Sequence, residues 1–209
     1  MHKISPIRYL FTFCMLLGAI STAFGQNTSY TTQRNTVKPP DIDGLLDDMA
    51  WGQVAWGDSF TQRQPYDGKP PTFKTEFKII YDDNDIYIGI RAFDDHPQTI
   101  VKRLTRRDES DGDFVEVTFD SYFDKLTGFQ FSVNAAGVKS DAILTNDNNN
   151  DFTWDPIWYV KTATDSLGWT AEMKIPLNQL RFSGKPEQTW GLQVLRLLYS
   201  KAEISTWKY

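Results

Sequence analysis

The sequence predicts an all-β protein, an antiparallel β-sandwich (jelly-roll-like) with one short N-terminal helix. From residue 72 onward, apolar and polar side chains alternate in short runs, as in strands with one buried face. The runs recur about every 10 residues and are separated by turn signals, a spacing typical of two-sheet sandwiches. The helix is predicted over residues 45–55, where Leu46, Met49 and Ala50 have helical spacing.

Each predicted strand rests on its own alternating run. Residues 73–81 and 86–92 form a predicted hairpin, joined by an acidic turn at residues 82–85. A second pair is predicted at 115–119 and 129–133. The remaining strands are predicted at residues 138–144, 158–163, 169–175 and 190–199.

The N-terminal region has the pattern of an export signal. Lys3 and Arg8 precede a stretch without charge, residues 9–23, which ends at a small-x-small cleavage pattern before Gln26. The apolar run is about 15 residues long, which is shorter than the roughly 20 residues that a transmembrane helix needs. We therefore predict a signal peptide over residues 1–25 and an exported protein located in the periplasm, at the cell surface or outside the cell.

The rest of the chain is predicted to form a flexible segment, residues 26–38, and one β-sandwich domain, residues 39–209. The sequence ends on an aromatic-rich stretch with no polar tail. We therefore expect this domain to be C-terminally truncated or continued by another domain.

Composition excludes several classes of function. The net charge of −5 argues against nucleic acid and anionic lipid as partners. The single cysteine, Cys14, lies in the predicted signal, so disulfides and thiolate chemistry are not expected after export. His96 lies in a turn pattern, and no nucleophile elbow, zinc motif or phosphate loop is present. We expect no intrinsic catalysis; hydrolysis of O-glycosyl compounds would belong to an attached domain.

Six ordered motifs resemble those of family 9 carbohydrate-binding modules. They lie at residues 40–51 (PDIDGLLDDMAW), 81–88 (YDDNDIYI), 113–120 (DFVEVTFD), 131–134 (FSVN), 168–176 (GWTAEMKIP) and 190–194 (WGLQV). The variant is similar to modules at the N-terminus of large bacterial surface proteins, before a domain expected to form an outer-membrane barrel. The resemblance implies a sandwich that binds the end of a glycan chain between two tryptophans, with calcium supporting the loops.

The chain departs from this family pattern at the sugar site. The family has one clamping tryptophan just before the strand at 113–120, where this chain has the charged residues 106–111 (RRDESD). The arginine that the family carries in the following strand is replaced by Ser132. The second clamping position would lie near or beyond the end of this chain, so the resemblance predicts the fold better than the sugar site.

Eight residues are candidates for ligand binding. Trp154 and Trp158 flank an Asp-Pro pair and offer aromatic faces, unless one or both pack in the core. The charged residues lie where the family keeps polar sugar contacts, and forked guanidinium and carboxylate groups suit vicinal hydroxyls, although a solvated loop is the alternative. These charged candidates are Arg106, Arg107, Asp108 and Asp111, and the polar candidates on the Ser132 face are Gln130 and Asn134. Trp51 and Trp169 are expected in the core.

One stacked ring and four hydrogen bonds would give about 5–6 kcal/mol, a Kd of about 0.1 mM. Calcium needs six to eight oxygen ligands, usually from acidic loops. The candidate calcium ligands are Asp82, Asp83 and Asp85 in one turn and Asp147 and Asp151 in another; the alternative is that both are simple turns.

The predicted function is non-catalytic binding of an oligo- or polysaccharide, serving glycan catabolism within a larger surface protein. The main alternative is an accessory domain that packs on an outer-membrane barrel or a partner protein, or forms part of a glycoside hydrolase. A haem-binding sandwich is a further alternative, for which only His96, Met49 and Met173 are available as axial ligands.

Overall fold

Two β-sheets form the protein in its computed structural model, which describes residues 29–109, 111–146 and 149–207. The strands of the five-stranded sheet, in chain order, are β1 (Gln33–Arg34), β3 (Thr75–Tyr81), β4 (Asp85–Phe93), β9 (Tyr159–Asp165) and β10 (Gly168–Pro176). Those of the seven-stranded sheet are β2 (Phe60–Gln64), β5 (Phe114–Asp120), β6 (Thr127–Asn134), β7 (Lys139–Thr145), β8 (Asn149–Asp151), β11 (Gly191–Leu198) and β12 (Glu203–Trp207). The spatial order is β1-β3-β4-β10-β9 in the first sheet and β2-β12-β11-β5-β6-β7-β8 in the second.

The predicted fold class is confirmed. Neighbouring strands pair antiparallel in every case except β1 and β3, which are parallel. Helical structure in the described residues is confined to short 3₁₀ turns, at Met49–Gln53, Pro97–Thr99, Leu177–Gln179 and Tyr199–Lys201. In the same part of the chain, no helix has the length and apolar character required to span a membrane.

The core lies between the two sheets and is built by alternate side chains. On β5, Val115, Val117 and Phe119 point inward, and the register sets Val117 between Phe131 of β6 and Val194 of β11. The five-stranded sheet supplies the opposing layer, in which Phe77, Ile79, Ile88, Ile90, Ala171 and Met173 are buried. Trp169 belongs to this layer, as expected.

A second apolar cluster covers the outer face of the five-stranded sheet. Ala50, Trp51 and Val54 pack there on Ile80 and Tyr87. We call residues 40–55 the strap, because this segment crosses the sheet from outside. Trp51 is buried, as expected, but it lies in this outer cluster and not between the sheets.

Glu172 of β10 fastens the strap to the sheet. Its carboxylate is fully buried and accepts hydrogen bonds from the Trp51 indole N–H (2.9 Å) and the backbone N–H groups of Asp43 (3.1 Å) and Gly44 (2.8 Å). Gly44 has φ of 95°, and a Cβ there would lie 2.9 Å from the Thr162 carbonyl carbon, so glycine is required. Burial raises the pKa of Glu172 to about 7, and the three hydrogen bonds oppose that rise. The motifs at 40–51 and 168–176, which are far apart in the sequence, therefore contact each other in the fold.

The predicted helix at 45–55 is wrong in extent. Only Met49–Gln53 is helical, as a 3₁₀ turn, and Met49 is 78 % exposed although its spacing predicted an inward side chain. The helical turn is short because the strap crosses the outer face of the sheet, and a longer helix would not span that distance. A turn at Gly44 and a bond from the Asp41 N–H to the Asp48 carboxylate (3.0 Å) shape the preceding chain.

The predicted flexible segment at 26–38 is instead attached to the sandwich from residue 29 onward. Tyr30 packs against Phe77 and Trp207, and its hydroxyl accepts from the Ile79 N–H and donates to the Ala55 carbonyl. The predicted signal peptide, residues 1–25, lies outside the described residues.

We expect Trp51→Phe to lower the free energy of unfolding by about 2–4 kcal/mol. The change leaves one buried Glu172 oxygen without its donor and removes part of the packing in the outer cluster. Urea unfolding measures the loss. Trp56→Phe is the matched control, since Trp56 is exposed and its ring contact with the Lys78 ammonium survives in phenylalanine. Equal midpoints for the two variants would contradict the role given to Glu172.

Candidate functional site

The outer face of the seven-stranded sheet carries polar side chains on its central strands. Val115, Val117 and Phe119 point into the core, so the residues between them point outward. Some of the polar side chains on this outer face are buried, which indicates that neighbouring side chains cover them. We call this surface the sheltered polar face. Two neighbouring rows cross β11, β5 and β6, the first made of Leu195, Glu116 and Ser132 and the second of Leu197, Phe114 and Asn134.

Arg103, Asp111 and Tyr199 meet at one end of this face, and we call them the rim triad. The Arg103 guanidinium donates to the Asp111 carboxylate (2.7 Å) and the Tyr199 hydroxyl (3.2 Å), and it lies 5.0 Å from the Tyr199 ring centroid. Tyr199 is 38 % exposed. The ion pair with Arg103 lowers the pKa of Asp111, which keeps this carboxylate ionised. The triad thus combines an aromatic surface with charged hydrogen-bonding groups.

Asp113 brings the two segments of the rim triad together. Tyr199 directly follows β11, and the 103–111 loop precedes β5; because β11 pairs with β5, both arrive at the same end of the sheet. The buried Asp113 carboxylate accepts the Val101 N–H (2.8 Å), and the Tyr199 N–H lies nearby. Burial raises the pKa of Asp113, and these two N–H groups oppose the rise. The first residue of the 113–120 motif therefore has a positioning role.

Asn134, predicted to contact ligand, is a structural residue. Its side-chain amide donates to the Arg103 and Asp111 carbonyls (2.8 and 3.0 Å). Its carbonyl oxygen accepts the N–H groups of Ala136 and Val138 (3.0 and 2.9 Å). Both donors and both lone pairs are used, and the side chain is fully buried, so it supports the rim triad from below.

Trp158, predicted to offer a face to sugar, is a core residue. It is 2 % exposed, its ring packs edge-on against Phe131, and its indole N–H donates to the Asp141 carboxylate (3.0 Å). Trp154 is half-buried and lies against Phe129 and Phe131. Packing in the core, the alternative considered for this pair, is therefore what the structure shows for Trp158, and Trp154 packs against the same core cluster. Trp158 directly precedes β9, on the same side as Val160, which also packs on the core.

The predicted polar residues 106–111 divide into separate groups. Arg107 donates to the Asp141 carboxylate (2.7 Å) and the Pro156 carbonyl (3.1 Å), and it pairs with Asp155 (2.5 Å), so it joins loops rather than facing a ligand. Asp108 accepts the Asp141 N–H (3.1 Å). Arg106 is exposed, and Asp111 belongs to the rim triad.

Gln130 and Glu116 form a polar pair on the outer face. Gln130 is buried and its amide donates to the Glu116 carboxylate (2.8 Å). Burial raises the pKa of Glu116 to about 7. Gln130 thus lies on the predicted face, with its amide engaged by a neighbouring carboxyl group.

The carboxylates of the acidic turn at 82–85 have partners within the protein. The Asp82 carboxylate accepts the N–H groups of Asn84 and Asp85 (both 2.8 Å) and the Tyr87 hydroxyl (2.9 Å). Asp83 pairs with Arg34 (2.7 Å), and Asp85 pairs with Lys174 (3.1 Å), so cations already hold both carboxylates. Calcium binding at this turn stays a prediction.

The second acidic loop is only partly described. Asp151 accepts the N–H and the hydroxyl of Thr153 (2.9 and 2.6 Å), while Asp147 lies outside the described residues. In the described ranges, no group of three or more His, Cys, Asp or Glu side chains is placed to hold a metal ion. Calcium binding near Asp147 and Asp151 stays a prediction.

Sequence reasoning missed Arg103 and Tyr199. The available signal was an aromatic residue directly after the last long alternating run, next to a turn. Its significance depends on the pairing of β11 with β5, which links positions 96 residues apart.

The described residues form an all-β sandwich with a polar outer face and an exposed aromatic residue, Tyr199, at the end of that face. The sequence model described as "Carbohydrate family 9 binding domain-like" matches residues 42–201. The chain belongs to this family. No curated protein matches it in sequence.

Solved structures share the fold. A family 9 carbohydrate-binding module from Caldicellulosiruptor kristjanssonii in complex with glucose superposes with a TM-score of 0.59 at 19 % identity, over 86 % of this chain and 85 % of that one. A module from the same organism in complex with cellotriose gives 0.57 at 21 % identity, over 85 % and 80 %. A candidate carbohydrate-binding protein from Bacteroides uniformis gives 0.58 at 14 % identity, over 86 % and 88 %. The likeness establishes a common fold.

We expect Glu116→Gln to reduce the fall in stability between pH 4.5 and 7, while the part that Glu172 contributes remains. A carboxyl group whose pKa is raised on folding binds its proton more tightly in the folded state, so its contribution to stability is lost as pH rises through this window. Glutamine keeps an acceptor for Gln130 and removes the titration.

Denaturant unfolding at pH 5 and pH 8 measures this difference. Glu187→Gln makes the same chemical change at an exposed position and should leave the wild-type slope. A wild-type slope in the Glu116 variant would show that Glu116 does not carry this titration.

Proposed function

We propose that this chain is a non-catalytic carbohydrate-binding module that holds a neutral saccharide at the rim triad. The observation that carries the proposal is the exposed Tyr199 ring held against the Arg103–Asp111 ion pair at the end of the sheltered polar face. Membership of the family supports it. Two structural relatives contain glucose and cellotriose in their complexes, which supports a saccharide as the ligand.

The rim triad suits the two surfaces of a sugar ring. A pyranose has C–H groups on its faces, which pack on an aromatic ring, and hydroxyls at its edge, which need donors and acceptors. Arg103 supplies donors in a planar fork and Asp111 supplies acceptors. Because the Arg103–Tyr199 stack and the Asp113 contacts fix the triad, little ordering is needed on binding.

Binding at such a site is expected to be weak. A single stacked ring and a few exposed hydrogen bonds give a Kd on the order of 0.1 mM. Weak binding at one module suits a larger protein that holds a polymer at several points, because linked sites raise the overall avidity.

The proposal includes export and a role in glycan capture by a larger surface protein. The charge pattern and cleavage pattern of residues 1–25 support export. Expression of the full sequence in a Gram-negative host, followed by N-terminal sequencing, tests it: a mature protein beginning at Gln26 in the periplasm supports export, and an unprocessed cytoplasmic protein opposes it.

We expect Tyr199→Ala to weaken glycan binding about tenfold without changing stability. The substitution removes the stacking surface, and a tenfold change corresponds to about 1.4 kcal/mol. A glycan array of neutral oligosaccharides identifies the ligand, and isothermal titration measures the affinities of wild type and variant. Urea unfolding confirms that the variant folds.

Tyr66→Ala is the matched control, because Tyr66 is an exposed tyrosine in the loop after β2. It should bind like wild type. Absence of glycan binding by wild type would refute the proposal and favour an accessory domain that packs on a barrel or partner. A parallel titration with a calcium chelator tests whether the loop near Asp151 needs calcium.

A further inference from the structure

A groove of about 520 Å³ lies along β9 and β10 and extends to the start of β7. Three lysines line it, and we call it the lysine groove: Lys139, Lys161 and Lys174. None of its lining residues is acidic, although the chain as a whole carries a net charge of −5. The groove therefore concentrates cations in a protein that is otherwise acidic.

Strand register explains why the cations converge. Lys161 and Tyr159 are two residues apart on β9, so both point outward. On β10, Lys174 lies opposite Tyr159. Lys139 reaches the groove from the start of β7, with its ammonium 3.0 Å from the Trp158 carbonyl oxygen and 5.3 Å from the Trp158 ring centroid.

The three ammonium groups retain free donors. Lys174 has one carboxylate partner, Asp85, at 3.1 Å. Lys139 donates one bond to a carbonyl, and each ammonium has three protons. Lys161 is exposed and makes no hydrogen bond or ion pair with the residues that the structure describes. Several N–H groups are therefore available to an incoming anion.

The nearest acids are already engaged. Asp141 and Asp155 pair with Arg107 at 2.7 and 2.5 Å. Glu172, opposite Lys161, receives the Trp51 indole N–H and two strap N–H groups. Burial, together with the nearby Arg107 charge, lowers the pKa of Lys139, so an anion in the groove would stabilise its charged form.

Tyr159 adds an aromatic surface to the cationic one. Its side chain is 54 % exposed and lies beside Lys174 on the groove wall. A bare anion would need only the ammonium groups, whereas a ring that carries an anionic group would use both surfaces. We propose that the lysine groove is a second binding site, which takes an acidic saccharide with its carboxylate or sulfate on the lysines and its ring on Tyr159.

Titration with oligogalacturonate, a sulfated oligosaccharide and a neutral cello-oligosaccharide tests this site. We expect the acidic ligands to bind and their affinity to fall with added salt, because exposed charge interactions are screened. Lys161→Gln and Tyr159→Ala should each weaken acidic binding about fivefold, through loss of one charged contact or one stacking surface. Both side chains are exposed, so both variants should fold.

Two controls separate this site from the rim triad. Lys69→Gln changes an exposed lysine in the loop between β2 and β3 and should bind acidic saccharides like wild type. Tyr199→Ala should also keep acidic binding, so failure of the neutral-sugar proposal would leave this one standing. Chemical-shift changes confined to β9, β10 and the start of β7 would locate the ligand.

Three results would overturn the inference. One is acidic oligosaccharides that bind no better than neutral ones. Another is unchanged acidic binding in both groove variants. The third is inorganic sulfate that matches the affinity of the sulfated oligosaccharide, which would reduce the groove to a simple anion site.

Discussion

The burial of one face of each sheet against the other is the constraint on which the rest of the structure depends. Alternate side chains such as Val117, Phe131 and Met173 fill the space between the sheets. The accessible surface is therefore left to the two outer faces, the sheet edges and the loops at the sheet ends. The rim triad and the lysine groove lie on this accessible surface and have no residue in common.

Buried polar groups determine where the loops lie. Glu172 collects three N–H donors from the strap, Asn134 collects two carbonyls and two N–H groups, and Asp113 holds the segments that bear Val101 and Tyr199. Each satisfies backbone groups that would otherwise be buried without partners, which is costly. Arg196 adds a buried guanidinium between the sheets, bonded to the Lys74 carbonyl at 3.2 Å. Polar residues in the family motifs therefore stabilise the scaffold.

The candidate site was predicted less well than the fold. The sequence pointed to the 106–111 stretch and to Gln130, and the structure places Gln130 on the outer face of the seven-stranded sheet and Asp111 at the end of that face. The sequence could not show that Trp158 and Asn134 are buried, because the type of a polar or aromatic residue does not reveal which face of a sheet its side chain occupies. Nor could it join Arg103 to Tyr199, since that contact depends on which strands are neighbours.

The sequence by itself predicted the sandwich class and eight of the twelve strands that the described residues form, because alternation with period two follows directly from strand geometry. It did not predict β1, β2, β8 or β12. The sequence predicted too long a helix at 45–55, because a few apolar residues there have helical spacing. In the structure most of this segment packs across the sheet as the strap and is not helical. Strand order, the pairing of β11 with β5, and the convergence of Lys139, Lys161 and Lys174 were decided only by the tertiary structure. These features are contacts between residues distant in sequence, and local patterns carry no information about which distant surface a side chain will meet.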